Sequence, residues 1–164
     1  MYEIASTAGF FGAHGIWSVS DSGGLTPLLG YIEANGDQGH ERFISDDAAQ
    51  DAGVGAERLL AGRPNWVRAA LVVDAFLHLS TGRIDALIIH AVQYRPDRRS
   101  IQMAVPYRPH TSEQGFGVYR PKFLETNGFT DPDYGVMGEA FFAGVDAHEQ
   151  AVAVWNAHLI DESV

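Results

Sequence analysis

The longest regular alternation of apolar and polar positions in the chain runs from Val67 to Arg108. Alternation with a period of two is typical of β-strands, whose side chains point in turn to opposite faces of a sheet. Two short breaks interrupt the pattern, at Thr81-Gly82 and at residues 96–99, and both are rich in residues that favour tight turns. The pattern therefore predicts three antiparallel strands at the centre of the fold.

The two turns also predict which residues of these strands face each other. With Ser80 opposite Arg83, one face of the first hairpin is apolar except for His90. With Arg95 opposite Ser100, the same apolar face continues into the third strand. We therefore expect His90 to be a buried polar residue beneath the covering helices, as a neutral core histidine rather than a general base or switch.

The opposite face of the central strands mixes charged and apolar side chains. Such a half-apolar face needs a cover, either from the chain's own helices or from a second subunit. We expect this face to mediate a homodimer or the binding of another protein. Its apolar members are Val72, Phe76, Leu87 and Ile89.

The first half of the chain contains two helix patterns and several short strand patterns. Residues 2–13 carry apolar side chains at helical spacing. A second helix is expected to begin near Ser45, where a hydroxyl and two following carboxylates suit a helix N-terminus, and to run to about Ala61. Asn35-Gly36 is the strongest hairpin signal in the sequence. The strands predicted in this half span residues 16–21, 26–34 and 37–44.

The last third of the chain predicts one more strand and a closing helix, with residues 134–144 as either a separate helix or irregular cover. Residues 115–124 form the strand, with Pro121 at an edge or a break. Asp146 and Glu149 make the pattern of a capping box, so the helix should begin at Asp146. Its apolar stripe is His148, Val152, Trp155 and Leu159. The order helix, three strands, helix, four strands, helix predicts a single α+β domain over residues 1–164, with a mainly antiparallel sheet and helices packed on one face.

The composition is that of an ordinary globular domain, with 164 residues, 46% hydrophobic and 20% charged. The absence of cysteine excludes disulfides, thiolate metal ligands and cysteine nucleophiles. No apolar run approaches the roughly 20 residues of a membrane span. We therefore expect a cytoplasmic protein that does not interact with membranes.

Charge is unevenly distributed along the chain. The net charge of −10 argues against nucleic-acid binding, because phosphate backbones are bound by clustered Lys and Arg. Residues 95–122 nevertheless hold six of the eleven basic side chains, whereas residues 123–164 hold eight acids and no base. This basic segment either balances the chain's own acidic helices or binds a small anion.

The basic segment contains the tripeptide Tyr-Arg-Pro three times. Arginine suits an anion site because its planar guanidinium binds carboxylate or phosphate through two hydrogen bonds. Successive strand ends of a meander lie at opposite edges of the sheet, however, which works against convergence of the three arginines. The candidate anion-binding residues are Arg95, Arg108, Arg120 and Lys122.

No motif for catalysis, a metal or a cofactor is present, since both His-Glu-x-x-His and Gly-x-Ser-x-Gly are missing. His78 and Asp85 are expected to face each other as a surface pair rather than as part of a catalytic triad. The sequence therefore predicts a non-catalytic binding or protein-interaction module without a cofactor. The alternative is a small enzyme or sensor that binds an anionic metabolite through Arg95, Arg108 and Arg120.

Overall fold

The computed structural model describes residues 2–164, which form four helices and a seven-stranded sheet. The helices are α1 (Glu3–Val19), α2 (Ala48–Ala61), α3 (Tyr134–Ala147) and α4 (Glu149–Ala157). The strands are β1 (Leu28–Glu33), β2 (Gln38–Arg42), β3 (Trp66–Leu79), β4 (Gly82–Gln93), β5 (Arg99–Arg108), β6 (Gly117–Val118) and β7 (Lys122–Asn127). Within residues 2–164, none of the helices is both long enough and apolar enough to cross a membrane.

The predicted α+β class with a mainly antiparallel sheet is confirmed, because all paired strands run antiparallel. The strand order is β2-β1-β3-β4-β5-β6, and β7 pairs with the first half of β5. The long strands β3, β4 and β5 form the centre, as the alternating pattern predicts. The hairpin of β1 and β2 turns at Asn35-Gly36, where Gly36 has a φ of 91° that glycine adopts easily.

The register of the first central hairpin differs from the prediction by two residues. Its turn is Ser80-Thr81, so that Leu79 lies opposite Gly82. The predicted pairing of Ser80 with Arg83 is therefore wrong, and so is the pairing of His78 with Asp85. Because the shift is an even number of residues, every side chain of β3 and β4 stays on the face of the sheet that the prediction assigned to it.

The register of the second hairpin differs by an odd number, and this changes the core. The connection spans residues 94–98, which places Gln93 opposite Arg99. The predicted pairing of Arg95 with Ser100 is wrong. A shift of odd size turns β5 over, so that its apolar residues join the mixed face of β3 and β4 instead of the apolar one. The residues transferred to that face are Ile101, Met103, Val105 and Tyr107.

The main core therefore forms on the face that the sequence predicted as an interaction surface. Val72, Leu87 and Ile89 are fully buried there beneath α1, and of the four predicted interaction residues Phe76 alone is exposed, at 48%. Strand β5 adds apolar side chains to this face, whereas the predicted register placed them on the opposite face of the sheet. They complete the apolar surface that α1 covers. The cover that this face needs is thus supplied by the chain's own helices.

Helix α1 is longer than predicted and ends at Val19. It therefore includes most of residues 16–21, which were expected to form a strand. Ile16 and Val19 are buried and extend the apolar surface of the helix. Helices α1 and α3 cross where Gly9 and Gly144 lie, and a Cβ atom at either glycine would collide with a backbone carbonyl oxygen of the other helix. The glycines that weaken α1 by propensity are therefore points of close helix contact.

Helix α2 covers the other face of the sheet, whereas the sequence placed all helices on one face. Its predicted end at Ala61 is confirmed, and Asp47 caps its start by accepting hydrogen bonds from two backbone N–H groups. Leu59 packs against the β1, β3 and β4 side chains of this face in a second, smaller core. Half-buried side chains near the β3–β4 turn lie beyond this cluster: Leu77, Ile84 and Ile88.

The C-terminal third contains one strand more than predicted, and residues 134–144, left open between a helix and irregular cover, lie in α3. The strand expected over residues 115–124 is broken before Pro121 into β6 and β7. Asp146 lies in the last turn of α3, so the predicted helix start there is wrong, and His148 is the N-cap of α4. Trp155 of α4 is buried in the main core, as the predicted apolar stripe requires, whereas Leu159 lies beyond the helix and is 46% exposed.

Candidate functional site

A cavity of about 200 Å³ is lined by residues of α1, of the β1–β2 hairpin and of the junction between α3 and α4. We call it the histidine pocket, because three of the chain's seven histidines line it. Although the chain has 21 acidic residues, the lining within residues 2–164 includes no carboxylate. The lining residues are Phe10, Phe11, His14, Leu28, Gln38, Gly39, His40 and His148.

Helix α1 supplies one wall of the histidine pocket through residues on the same side of the helix. Phe10, His14 and Trp17 follow each other at spacings of four and three residues, which places them side by side on a helix. The Trp17 ring meets the His14 ring edge-on at 5.6 Å, and the Phe10 ring lies 4.8 Å from the ring of His148. These aromatic contacts fix the positions of two imidazole rings.

His148 connects the start of α4 to α1. Its Nδ1 atom accepts a hydrogen bond from the backbone N–H of Ala151 at 3.1 Å, which caps α4. Its Nε2 atom lies 2.9 Å from Nδ1 of His14. With only 6% of its surface exposed, His148 is one of the most buried polar residues of the fold.

Arg42, at the end of the edge strand β2, brings a positive charge to the outer side of His14. Its Nη2 atom lies 3.3 Å from Nε2 of His14, and its Nη1 atom donates to the carbonyl oxygen of Thr26 at 3.2 Å. Burial lowers the pKa of the Arg42 guanidinium, which nevertheless stays charged near neutral pH. The site therefore combines one permanent cation with two imidazoles.

The imidazoles of His14 and His148 are both neutral near neutral pH. Burial, and then the nearby His148, Arg42 and His40, lower the pKa of His14 to about 4. Burial also lowers the pKa of His148. Titratable groups with perturbed pKa values that line a cavity are a feature of functional sites, and this is the reason for placing the candidate site here.

His90 lies in a different cavity, on the α2 face. It is half-buried at the border of the area that α2 covers, in a cleft of about 370 Å³. The sheet register places His90 beside Gln102 of β5, and Gln102 beside Glu125 of β7. The pKa of His90 is lowered overall, because the effect of burial exceeds the opposing effect of the nearby Glu125. His90 is therefore part of a partly open polar row across three strands rather than a residue of the main core.

The candidate arginines do not converge on one cavity. Arg95 donates to the carbonyl oxygen of Trp66 at 3.2 Å, at the end of the sheet where β5 begins. Arg108 is at the other end of β5, roughly 30 Å away along the strand. There its guanidinium donates to the carbonyl oxygens of Gly115 and Gln114, at 2.7 and 3.2 Å.

The two remaining basic candidates lie near the C-terminal segment. Arg120 forms an exposed ion pair with Asp161, with Nε and Oδ1 2.8 Å apart. Lys122 begins β7 opposite Ala104. Arg120 thus contacts a carboxylate of the acidic C-terminal region, as expected if the basic segment balances internal charge, whereas Arg108 holds a loop.

A second half-buried titratable group lies on the α1 face of the sheet, beside the C-terminal end of α1. Asp74 of β3 accepts a hydrogen bond from the Tyr107 hydroxyl at 2.7 Å. Burial raises the pKa of Asp74, the hydrogen bond from Tyr107 lowers it, and the nearby Asp85 raises it again. These residues border a cleft of about 370 Å³ beside the loop that follows α1.

Sequence reasoning missed the histidine pocket for two reasons. The predicted helix ended at Ala13, one residue before His14, so the stripe of Phe10, His14 and Trp17 was divided between two elements. Arg42 gave no signal of its own, because it comes within reach of His14 only in the folded chain. An unbroken helix to Val19 would have revealed the aromatic stripe.

No group of three or more His, Asp or Glu side chains in residues 2–164 has a geometry that could hold a metal ion. Comparisons with protein-family models, with curated proteins and with solved structures give no significant match. The chemistry of the site itself is therefore what indicates a function.

Proposed function

We propose that the protein is a non-catalytic binding module that holds a small ligand in the histidine pocket. The observation that supports this most is the convergence of Arg42, the half-buried imidazole of His14 and the buried imidazole of His148 beside a cavity with apolar walls. A few polar groups directed at an otherwise apolar cavity are the usual composition of a small-ligand site. Buried polar groups cost free energy, and ligand binding is one reason to retain them.

The arrangement favours binding over catalysis. Nδ1 of His14 and Nε2 of His148 are occupied with each other, and Nδ1 of His148 is occupied by the helix cap. A histidine base also needs a nucleophile or an orienting acid nearby. Within residues 2–164, no serine, threonine or carboxylate lines the pocket. The separation of Arg95 from Arg108 likewise lends no support to an anionic metabolite bound by those arginines.

Thermal melts with a ligand panel test this proposal. The panel contains short carboxylates, inorganic phosphate, alkylamines and a divalent transition metal, each at constant ionic strength. A ligand that binds the native state at a hundredfold excess over its Kd stabilises it by about 2.7 kcal/mol. We expect one class to raise the melting temperature of the native protein, and the effect to disappear in His14→Gln.

The matched control is His78→Gln, because His78 is an exposed histidine on β3 outside the pocket. It should respond to the ligand as the native protein does. A panel in which no ligand distinguishes the native protein from His14→Gln would refute binding at this pocket.

A second candidate function is protein binding or homodimer formation through the part of the sheet beside α2. Val73 pairs with Ile88, and Leu77 with Ile84, in a contiguous half-buried apolar patch on the α2 face. This patch replaces the predicted surface of Val72, Leu87 and Ile89. Light scattering should then detect a dimer that Ile88→Lys dissociates, whereas a monomer at every concentration would argue against it.

A further inference from the structure

The hydrogen bonds of the histidine pocket determine where its protons lie. The backbone N–H of Ala151 can only donate, so Nδ1 of His148 must present its lone pair to that group. A neutral imidazole carries one proton, which in His148 is therefore on Nε2. His148 is thus a hydrogen-bond donor toward α1.

The same reasoning continues from His148 to His14 and Arg42. The Nε2–H group of His148 points to Nδ1 of His14, 2.9 Å away, so this atom is the acceptor. The proton of neutral His14 is then on Nε2, 3.3 Å from Nη2 of Arg42. A guanidinium has donors only, and two N–H groups therefore face each other.

Redistributing the protons does not remove this conflict. Three lone pairs are required: one for the N–H of Ala151, one for the hydrogen between the two rings and one for the N–H of Arg42. Two neutral imidazoles have only two lone pairs between them. Protonating either ring would leave one lone pair fewer. The pocket therefore lacks one acceptor, and its lining within residues 2–164 has no carboxylate to supply it.

We propose that the histidine pocket binds a small carboxylate, whose oxygen atoms accept hydrogen bonds from Nη2–H of Arg42 and Nε2–H of His14. The proposal rests on the proposed binding function and names its ligand class. A carboxylate supplies the missing lone pairs and balances the charge of Arg42, and hydrogen bonds to an ionised acceptor are stronger than neutral ones. Both facing donors are then satisfied.

The cavity walls define the remainder of the ligand. Phe10, Phe11 and Leu28 are apolar and suit a short hydrocarbon chain next to the carboxylate. The volume of about 200 Å³ corresponds to roughly six or seven water molecules in the liquid. The ligand class is thus a short-chain monocarboxylate.

Two other ligand classes fit these groups less well. A metal ion would need a lone pair on Nε2 of His14, which carries the proton, and Arg42 would repel it. Inorganic phosphate could accept both hydrogen bonds, but it has no apolar part for the phenylalanine side of the cavity and places up to two negative charges beside a single cation. The test therefore includes both classes.

The experiment is calorimetric titration of the full chain near neutral pH and at constant ionic strength. The probes are sodium butyrate, inorganic phosphate, methylammonium chloride and zinc chloride. We expect butyrate to bind one site per chain more tightly than the other three probes. Arg42→Gln removes a charged hydrogen-bond donor, and such bonds contribute about 1.5–3 kcal/mol, which corresponds to a loss of affinity of about tenfold or more.

Two further variants keep the test interpretable. Arg42→Lys retains the charge but not the planar guanidinium, and its affinity for butyrate should fall between that of the native protein and that of Arg42→Gln. Arg120→Gln removes an exposed arginine outside the pocket and should leave butyrate binding unchanged. If Arg42→Gln does not fold, the comparison of Arg42→Lys with Arg120→Gln decides.

Each outcome supports or overturns a defined claim. Butyrate binding that weakens in both Arg42 variants but not in Arg120→Gln supports the carboxylate class. Binding of zinc, phosphate or methylammonium in place of butyrate, with dependence on His14, would overturn the carboxylate class and leave the binding function standing. Failure of all four probes to bind would overturn both.

Discussion

His14 and Asp74 are two half-buried titratable residues that the fold treats differently. Burial shifts the pKa of each toward its neutral form, down for His14 and up for Asp74. Asp74 receives a hydrogen bond from the hydroxyl of Tyr107 within the same sheet. His14 instead lies between the N–H donors of His148 and Arg42, and its two ring nitrogens cannot accept from both while the ring carries its proton.

The polar interactions of Asp74 are complete within the protein, whereas those of His14 are not. A buried acid with its own donor needs nothing further, and the fold can use it as a structural hydrogen bond. The half-buried His14 lies between two donors, and the protein supplies too few acceptors for all the N–H groups that meet there. The charge of Arg42 and the adjacent cavity allow a bound anion to meet that requirement, which is why we assign ligand binding to His14 and not to Asp74.

The largest expected effect on stability comes from weakening the packing of α4. This helix positions His148 beside His14 but does not contribute to the interaction of Asp74 with Tyr107. Trp155 anchors α4 in the main core with only 1% of its surface exposed, and the N-cap of the same helix is His148. Trp155→Ala should reduce the free energy of unfolding by about 3–5 kcal/mol, measured by urea denaturation. The control Leu124→Ala removes a residue that is 46% exposed, and it should change stability by less than about 1 kcal/mol. Equal effects of the two substitutions would mean that α4 is an accessory.

The next effect tests whether the Asp74 interaction is complete. Tyr107→Phe removes the hydroxyl that donates to Asp74 and should cost about 1–3 kcal/mol, because the buried carboxyl loses its partner. Adding Asp74→Leu to that variant should restore much of the stability, since replacing both partners can be nearly neutral. The control is Tyr119→Phe, whose hydroxyl makes no hydrogen bond within residues 2–164. A full cycle without coupling between Asp74 and Tyr107 would contradict the interpretation.

His14 and Asp74 should change the free energy of unfolding in opposite directions as the pH decreases. Because the pKa of His14 falls from 6.5 to about 4 on folding, the unfolded chain takes up a proton first as the pH decreases through this interval, and the native state loses stability there. The raised pKa of Asp74 acts in the opposite direction, since the native state keeps its proton as the pH rises above 3.8.

Urea denaturation at a series of pH values measures these two contributions. Removing the imidazole in His14→Gln should reduce the loss of stability between pH 6.5 and about 4 relative to the native protein. An identical pH profile for the two proteins would show that His14 titrates as it does in the unfolded chain.

The smallest effect on stability is expected for His14→Gln near neutral pH. The side-chain oxygen of glutamine has two lone pairs and can accept from both His148 and Arg42. The variant should therefore remain within about 0.5 kcal/mol of the native protein, although it replaces a half-buried residue. A loss comparable to that of Tyr107→Phe would show that the imidazole is as well satisfied as Asp74 and would remove the basis of the comparison.

Features with local chemical causes were predictable from the sequence. The turn at Asn35-Gly36 needs only a glycine with a positive φ, and α2 begins where a capping side chain precedes a helical pattern. The alternation from Val67 to Arg108 similarly indicated the central strands. Each of these signals is contained in a few consecutive residues.

Features that depend on distant packing could not be predicted. The five-residue connection over residues 94–98 sets the face of β5, and composition does not distinguish it from a four-residue turn. One residue more or less exchanges the core face with the outer face. In the same way, Gly9 is unfavourable for a helix until α3 packs against it, and Arg42 reaches His14 only in the folded chain.

The central claim is that the imidazoles of His14 and His148 both carry their proton on Nε2, so that Nε2–H of His14 faces an N–H group of Arg42. A long-range ¹H–¹⁵N spectrum of the ligand-free protein near neutral pH reads the protonation of each ring nitrogen directly, with His14→Gln used to assign the signals. We predict protonated Nε2 and unprotonated Nδ1 in both His14 and His148. A proton on Nδ1 of His14 would instead leave Nε2 of His14 free to accept from Arg42, and that result would contradict the proposed pair of donors for the carboxylate.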